Sequence, residues 1–184
     1  PSIPADNTTF NWKRKVDIVS ASRLHLVTPS KWLMDKFSNS VLWPHFLSTK
    51  VIPNGVDSTV YFPGSQNEAR SQLGLPQDAI ILLTVANVIM INHFKDFDGT
   101  LRVVHWLSQR YLEKKIIWVC LGSKGPTSEV GSATALFIPH VDDDHKLAAF
   151  YRAADIFLHL SRADTFPNVV LEALNCGCPV ASTA

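Results

Sequence analysis

The chain has 184 residues, 46% of them hydrophobic, which suits one well-packed core and one domain or slightly more. Its 17 basic and 16 acidic residues give a net charge of +1, so no overall field would attract nucleic acid. Apolar runs such as 79–86 and 116–121 are far shorter than the roughly 20 residues of a membrane-spanning helix. We therefore expect them to be buried strands.

The cysteines and histidines show no spacing typical of a metal site. Cys176 and Cys178 flank a single glycine, and no second pair of ligands accompanies them at a spacing that zinc requires. We therefore expect no metal. A chain of this size does not need disulfides for stability, so reduced thiols and a cytoplasmic location are predicted.

The first third of the chain predicts one strand and one helix before a domain boundary. Residues 24–28 form a short apolar run, and Ser30 can cap an amphipathic helix over 31–37. Turn signals then follow at Pro53-Asn54-Gly55 and at Pro63-Gly64. We place the domain boundary between residues 60 and 61.

From residue 78 onward, strand and helix patterns alternate. The predicted strands are 80–86, 116–121, 136–138, 156–160 and 179–182. The intervening helices carry apolar residues at helical spacing from Phe97 to Tyr111, from Leu147 to Ala154, and from Pro167 to about Cys176. Trp106 and Trp118 are expected in the core or at its edge.

This alternation predicts an α/β fold with a Rossmann-like, doubly wound parallel sheet, because right-handed crossovers are the usual connection between such strands. Ligands of these sheets bind at the carboxyl ends of the strands. The loops in which to seek a site are therefore 87–96, 122–125, 139–144 and 161–168.

Two carboxylates in the last loop and helix lie eight positions apart. Asp164 falls in the loop after a predicted strand, and Glu172 falls about a turn and a half into the next helix. Either residue alone could be a turn former or a partner of the helix dipole. Together they flank a helix N-terminus, where backbone amides favour a diphosphate or a hydroxyl-rich ligand.

The stretch from Ser161 to Val180 resembles the retaining GT-B glycosyltransferases of family 4, also called glycosyl transferases group 1, of the bacterial polysaccharide-biosynthesis type. Their signature is an acidic residue, seven residues and a glutamate that opens Glu-Ala-x-x-x-Gly-x-Pro-Val. The resemblance implies that Glu172 binds the ribose hydroxyls and that Asp164, where glutamate is more usual, is a catalytic residue beside the transferred sugar. It also implies that backbone amides at Phe166, Asn168 and Val169 face sugar and phosphate.

The loop after the first predicted strand carries a second part of this resemblance. Phe94-Lys95-Asp96-Phe97-Asp98 is similar to the family's Lys-Gly-Phe-Asp segment, so Lys95 is implied to bind the donor diphosphate and to assist catalysis. The arginine that the family usually adds is absent from 87–94, and His93 is the nearest alternative donor. Gly122 matches a glycine turn, and Val141 matches the loop that contacts the base.

Upstream segments extend the resemblance over nearly the whole chain. Residues 27–32 and 51–57 look like the end of the acceptor domain and its linker. Residues 1–60 are therefore expected to be the end of the N-terminal acceptor domain, and 61–184 a truncated nucleotide-sugar-binding domain. We expect both the front of the first domain and the end of the second to be missing. Whether such a fragment turns over is left open.

The implied reaction is retaining, metal-independent transfer of a sugar from a nucleoside-diphosphate sugar to a glycan, lipid-linked or other acceptor, without a cofactor. UDP-sugar is the expected donor, with GDP- or ADP-sugar as alternatives. The implied location is cytoplasmic, with peripheral contact at the inner face of the membrane through missing N-terminal segments.

Two other functions stay open. One is a non-catalytic nucleotide-sugar-binding or interaction module, which Asp164 and the missing arginine favour. The other is a related GT-B sugar phosphorylase or nucleotide-sugar epimerase. Neither a dinucleotide-binding glycine motif nor a P-loop follows the first predicted strand, which argues against nicotinamide and ATP chemistry.

Overall fold

The computed structural model describes residues 6–183, and the chain divides into two compact units, Pro1–Asn54 and Gly55–Ala184. The first unit contains α1 (Thr8–Ser20), β1 (Leu24–Thr28), α2 (Lys31–Ser38), a 3₁₀ turn (Trp43–His45) and β2 (Phe46–Val51). The two strands pair in parallel. Ser30 caps α2 as predicted, because its hydroxyl accepts a hydrogen bond from the Leu33 amide at 3.2 Å.

The second unit begins slightly before the predicted boundary, and Tyr61 is already buried in its core. Its elements, in chain order, are α3 (Gln66–Leu73), β3 (Ile80–Val85), α4 (Phe97–Arg110), β4 (Ile116–Leu121), β5 (Ser128–Val130), β6 (Ala133–Ile138), α5 (Asp144–Ala153), β7 (Ile156–His159), α6 (Asn168–Asn175) and β8 (Val180–Ser182).

The described part of this unit forms a six-stranded sheet in the order β5-β6-β4-β3-β7-β8. Every pairing is parallel except that of β5 with β6. The five predicted strands are therefore all present and parallel, and the predicted fold class is confirmed. The chain leaves β3 toward one edge of the sheet and then returns to add β7 on the other side, which makes the β3–β7 junction the switch point where such sheets bind ligands.

The sheet is covered on both faces, and alternate residues of β3 show why. Ile81 and Leu83 belong to one apolar cluster with α5 and α6, whereas Leu82 belongs to a second cluster with Val104 of α4. Successive strand side chains point to opposite faces, so a strand covered on both sides needs a continuous apolar run. This explains the sequence Ile80–Val85, which shows no polar alternation.

The two tryptophans expected in the core behave differently. Trp118 on β4 is fully buried, stacks on Phe97 at a ring separation of 5.7 Å and donates to Thr84 Oγ1 at 3.0 Å. Trp106 is 62% exposed, so its predicted burial was wrong. It lies two positions after the buried Val104, which rotates it away from the face of α4 that packs on the sheet.

Several further features differ from the sequence predictions. The first unit contains α1 and β2 in addition to the one strand and one helix that were predicted there. β5 was not predicted, and it turns at Gly131 (φ +62°) to pair with β6, which therefore begins at Ala133 rather than at residue 136. Helix α3 was missed because it is short and polar, with only two buried residues. Pro167 is the N-cap of α6 rather than a residue of its first turn, since its ψ of 97° is extended.

Between residues 6 and 183 no helix combines the length and apolar character needed to cross a membrane. The same residues contain no group of three or more metal-binding side chains. All three cysteines are buried free thiols, and burial raises the pKa of Cys178 to about 12.

Candidate functional site

The loops that follow β3 and β7 are joined to each other by backbone pairing. Lys95 and Ser161 form an antiparallel bridge, and on either side the Asp96 amide donates to the Leu160 carbonyl and the Arg162 amide to the Phe94 carbonyl. These bonds are 3.0 and 2.9 Å long. The bridge therefore holds Lys95 at the carboxyl ends of the two strands that define the switch point.

Lys95 and Asp164, the two predicted catalytic residues, meet in this crevice. The Lys95 ammonium lies 2.7 Å from Asp164 Oδ2 and donates to Ser161 Oγ at 3.2 Å. Their side chains are 19% and 25% exposed. Burial works to raise the pKa of Asp164, but the hydrogen bond and charge of Lys95 outweigh it and lower that pKa. Asp164 is therefore ionised at neutral pH.

His159 is a third polar residue here, and the sequence pattern did not single it out. It ends β7, is only 6% exposed, and its Nε2 lies 3.9 Å from Asp164 Oδ2, too far for a hydrogen bond. Burial and the charge of Lys95 lower its pKa against the opposing effect of Asp164, so the imidazole is neutral at pH 7. The available signal was a single histidine closing an apolar strand.

Arg162 follows Ser161 in this bridge and pairs with a different carboxylate from the one that pairs with Lys95. Its guanidinium lies 3.1 Å from Asp96 Oδ1, a carboxylate that also caps α4. A cavity of about 220 Å³ is lined by both Lys95 and Arg162, together with His93.

Glu172 occupies a second polar cluster, on α6. Its Oε2 accepts a hydrogen bond of 2.9 Å from the hydroxyl of Tyr151, a fully buried residue of α5. Burial raises the pKa of Glu172, the Tyr151 bond partly offsets this, and the negative charge of Asp144 raises it further. The ionised form of this half-buried carboxylate therefore opposes folding.

Replacing Glu172 by glutamine should therefore stabilise the protein at neutral pH. Because folding raises the pKa, the protonated form favours the folded state, and this contribution is lost as pH rises through the folded pKa. Glutamine mimics the neutral form, so urea unfolding should show a gain of about 0.5–1 kcal/mol at pH 7. The gain should disappear as pH falls below 4.5, the ordinary pKa of a glutamate side chain.

The exposed Glu113 is the matched control, since Glu113→Gln removes a solvated charge and should leave the free energy of unfolding within about 0.5 kcal/mol of wild type. A Glu172→Gln protein less stable than wild type at pH 7 would contradict the prediction.

Gly122 and Val141, two predicted donor-binding residues, lie in the loops after β4 and β6. The Gly122 amide donates to the Ile138 carbonyl at 2.9 Å, and its carbonyl accepts from the Val88 amide at 3.0 Å. Gly122 therefore ties the loops together rather than offering a free amide. Val141 is half-buried and packs on the apolar cluster that contains Tyr151.

The predicted amide donors cluster at the start of α6. The Phe166 amide donates to Asp164 Oδ1 at 3.3 Å, while Asn168 and Val169 occupy the first turn of the helix. Pro167, the N-cap, makes no side-chain capping bond. Glu172 is paired with Tyr151, whereas Lys95 and Asp164 are paired with each other.

Solved structures similar to this chain include a sucrose-phosphate synthase and several glycosyltransferases. Sucrose-phosphate synthase from Thermosynechococcus elongatus matches 99% of this chain and 46% of its own, with a TM-score of 0.71 and 19% identity. A glycosyltransferase from Rickettsia africae matches 99% of this chain and 48% of its own, with a TM-score of 0.66 and 14% identity. At these identities the likeness establishes the GT-B fold alone.

Curated protein sequences match this chain with higher identity than these structures do, but over a smaller part of its length. D-inositol 3-phosphate glycosyltransferase of Streptosporangium roseum is 32% identical over 151 residues, which cover 73% of this chain and 34% of that protein. A second such enzyme, from Catenulispora acidiphila, is 33% identical over 150 residues, 71% of this chain and 34% of its own. The chain thus spans about a third of the length of these relatives. Because the family described as "Glycosyl transferases group 1" matches residues 65–184, the chain belongs to that family.

Proposed function

We propose that the protein containing this chain is a retaining glycosyltransferase that takes a sugar from a nucleoside-diphosphate sugar and transfers it to a glycan or lipid-linked acceptor. The observation that carries the proposal is Lys95, held at the switch point of the sheet 2.7 Å from Asp164 and 3.2 Å from Ser161. UDP-sugar is the proposed donor, with GDP- and ADP-sugar as alternatives.

Lys95 supplies the charge that this reaction needs. Negative charge grows on the diphosphate as the bond between the sugar and its oxygen breaks, so a fixed ammonium stabilises the transition state more than the ground state. Helix α6 begins at Asn168, four positions after Asp164, and its N-terminus adds the favourable end of a helix dipole. These two features would balance the leaving-group charge without an obligatory metal ion.

Donor binding requires Lys95 to exchange partners. In the structure its ammonium is paired with Asp164, and both side chains remain partly exposed. A doubly charged diphosphate carries more negative charge than a single carboxylate, so it can compete with Asp164 for the lysine. The exchange would free Asp164 to accept a hydrogen bond from a hydroxyl of the sugar. In the absence of donor, Asp164 would keep Lys95 in place.

Glu172 would bind the ribose hydroxyls, since an ionised carboxylate accepts two hydroxyl donors well. Retention of the anomeric configuration is proposed from the resemblance of the Asp164–Glu172 motif to retaining enzymes. A cytoplasmic location with peripheral contact at the inner membrane face is part of the proposal for the longer protein. The stereochemistry of the product made by that longer protein, followed by NMR, tests retention.

Calorimetric titration of the chain with UDP, GDP and ADP, with and without magnesium, tests donor binding. One nucleotide should bind without metal, and its dissociation constant should rise about 10- to 100-fold in Lys95→Ala and in Glu172→Ala. Each variant removes a charge-assisted hydrogen bond of about 1.5–3 kcal/mol.

Lys114 provides the matched control for the lysine variant, because it is exposed and lies just before β4, at the amino ends of the parallel strands, whereas Lys95 lies at their carboxyl ends. Lys114→Ala should bind as wild type does. A folded wild-type chain that binds none of the three nucleotides would contradict the proposal and favour a non-catalytic interaction module.

A further inference from the structure

The side chain of Tyr151 lies next to the candidate site residue Glu172 and is held in place by the surrounding core. It is fully buried, and its ring makes edge contacts with Tyr61 and Phe157 at centroid separations of 6.3 and 5.6 Å. Two edge contacts from different segments fix the plane of the ring. The position of its hydroxyl is therefore set by the core and not by the solvent.

That hydroxyl donates a hydrogen bond to one of the two carboxylate oxygens of Glu172. Its hydrogen bond ends on Glu172 Oε2 at 2.9 Å, and the partner side chain would otherwise rotate about three bonds in a half-exposed position. A buried, rigid donor removes this freedom before any ligand arrives. The second oxygen, Oε1, is then held in one place.

We propose that Tyr151 is a positioning residue that anchors Glu172 through Oε2, so that Oε1 is presented to the ribose hydroxyls of a nucleoside diphosphate. The inference rests on the proposed function, because it assigns a supporting role within the same site. Tyr151 itself touches no ligand. It acts only through the carboxylate that it holds.

The charged and titratable groups around Glu172 determine how this role can be detected. Tyr151 and Asp144 face it from α5, Tyr61 from the segment before α3, and Cys176 from the end of its own helix. Burial, followed by the charge of Glu172, keeps the pKa of the Tyr151 hydroxyl far above its usual value. Tyr151 therefore stays a donor throughout the working pH range, and only the carboxylate titrates.

Tyr151→Phe keeps the ring and removes the hydroxyl. We expect the dissociation constant for UDP, the probe nucleotide, to rise about tenfold at neutral pH, because binding must then immobilise a Glu172 side chain that is no longer held in place. The lost bond lowers the pKa of Glu172 in the wild type. In the variant, the acid limb of the binding profile should therefore move to higher pH, and a ¹³C NMR titration of the Glu172 carboxyl should move with it.

A double-mutant cycle separates positioning from general damage to the core. In a Glu172→Ala background, Tyr151→Phe should cause no further loss of UDP affinity, because the residue through which it acts is gone. Tyr61→Phe is the matched control. The hydroxyl of Tyr61 donates to Asp144 at 3.3 Å rather than to Glu172, and phenylalanine keeps the ring that makes the edge contact with Tyr151. This variant should keep the affinity and the pH profile of the wild type.

Two results would overturn the positioning role while leaving the proposed function intact. One is a Tyr151→Phe protein that binds UDP as tightly as wild type with an unmoved carboxyl titration. The other is a loss of UDP affinity on Tyr151→Phe that is equally large in the wild-type and the Glu172→Ala backgrounds. Failure of the folded wild-type chain to bind UDP, GDP or ADP would overturn the proposed function and this inference together.

Discussion

Gly122→Ala should destabilise the second unit by about 3 kcal/mol, through backbone strain and a steric clash together. Gly122 has a φ of +94°, and a Cβ atom there would lie 2.6 Å from the carbonyl oxygen of Ala86. The obstructing atom belongs to the backbone, so it cannot move aside as a flexible side chain could. Urea unfolding, followed by the near-ultraviolet signal of the buried Trp118, measures the loss.

The same variant should also weaken nucleotide binding. Relief of the clash moves Ala86 and Asn87, which begin the loop that carries Lys95. A displacement of this loop misplaces the ammonium relative to the diphosphate. We expect the dissociation constant for the bound nucleotide to rise about tenfold, as measured by calorimetry on protein that is still folded.

Alanine variants of two other glycines separate the cost of backbone strain from the cost of the steric clash. Gly74 has a φ of +67°, but a Cβ atom added there would have no neighbour within 4 Å, so Gly74→Ala should cost only about 1 kcal/mol. Gly55 has neither a positive φ nor a close neighbour, and Gly55→Ala should be neutral or slightly stabilising. If Gly122→Ala and Gly74→Ala cost the same, the clash at Ala86 does not matter to stability.

Arg70→Met should destabilise the protein by about 3–5 kcal/mol, the largest effect that we expect from a buried polar residue outside the candidate site. Arg70 is 3% exposed, and its guanidinium donates to the carbonyls of Ala153, Gln77 and Ala79 and to Asp155. Methionine fills much of the volume of the arginine stem but leaves these acceptors without a donor. The urea midpoint should fall accordingly.

Two variants provide the controls, one at an exposed arginine and one at Arg70 itself. Arg110→Met changes an exposed residue at the end of α4 and should alter stability by less than about 0.5 kcal/mol. Arg70→Lys keeps the charge but cannot reproduce the planar fork, so an intermediate loss is expected. An Arg70→Met protein as stable as wild type would show that water replaces the guanidinium at no cost.

The sequence predicts the parallel strands of the second unit well because those strands are covered on both faces. Ile80–Val85 and Ile116–Leu121 are continuous apolar runs, and their predicted lengths match the observed strands to within one residue. Elements stabilised by specific polar contacts were missed. Helix α3 has little apolar surface, and its attachment through Arg70 involves the carbonyl group of Ala153, 83 positions further along the chain.

The same distinction applies to the candidate site. Lys95, Asp164 and Glu172 could be selected because they occur in recognisable segments after predicted strands. His159 and Tyr151 could not, because each lies in an apolar pattern and resembles a core residue. Their relevance comes from three-dimensional contacts, 3.9 Å from Asp164 in one case and 2.9 Å from Glu172 in the other. Sequence spacing alone does not predict such contacts.

The short antiparallel strand β5 has a consequence for self-association. A parallel strand such as β6 with an open edge would offer its backbone to strands of other molecules, which is a common route to aggregation. β5 covers that edge, is only three residues long, and carries the exposed charge of Glu129. A strand this short and charged is a poor template for further pairing, so this edge of the sheet is protected against sheet extension between molecules at high protein concentration.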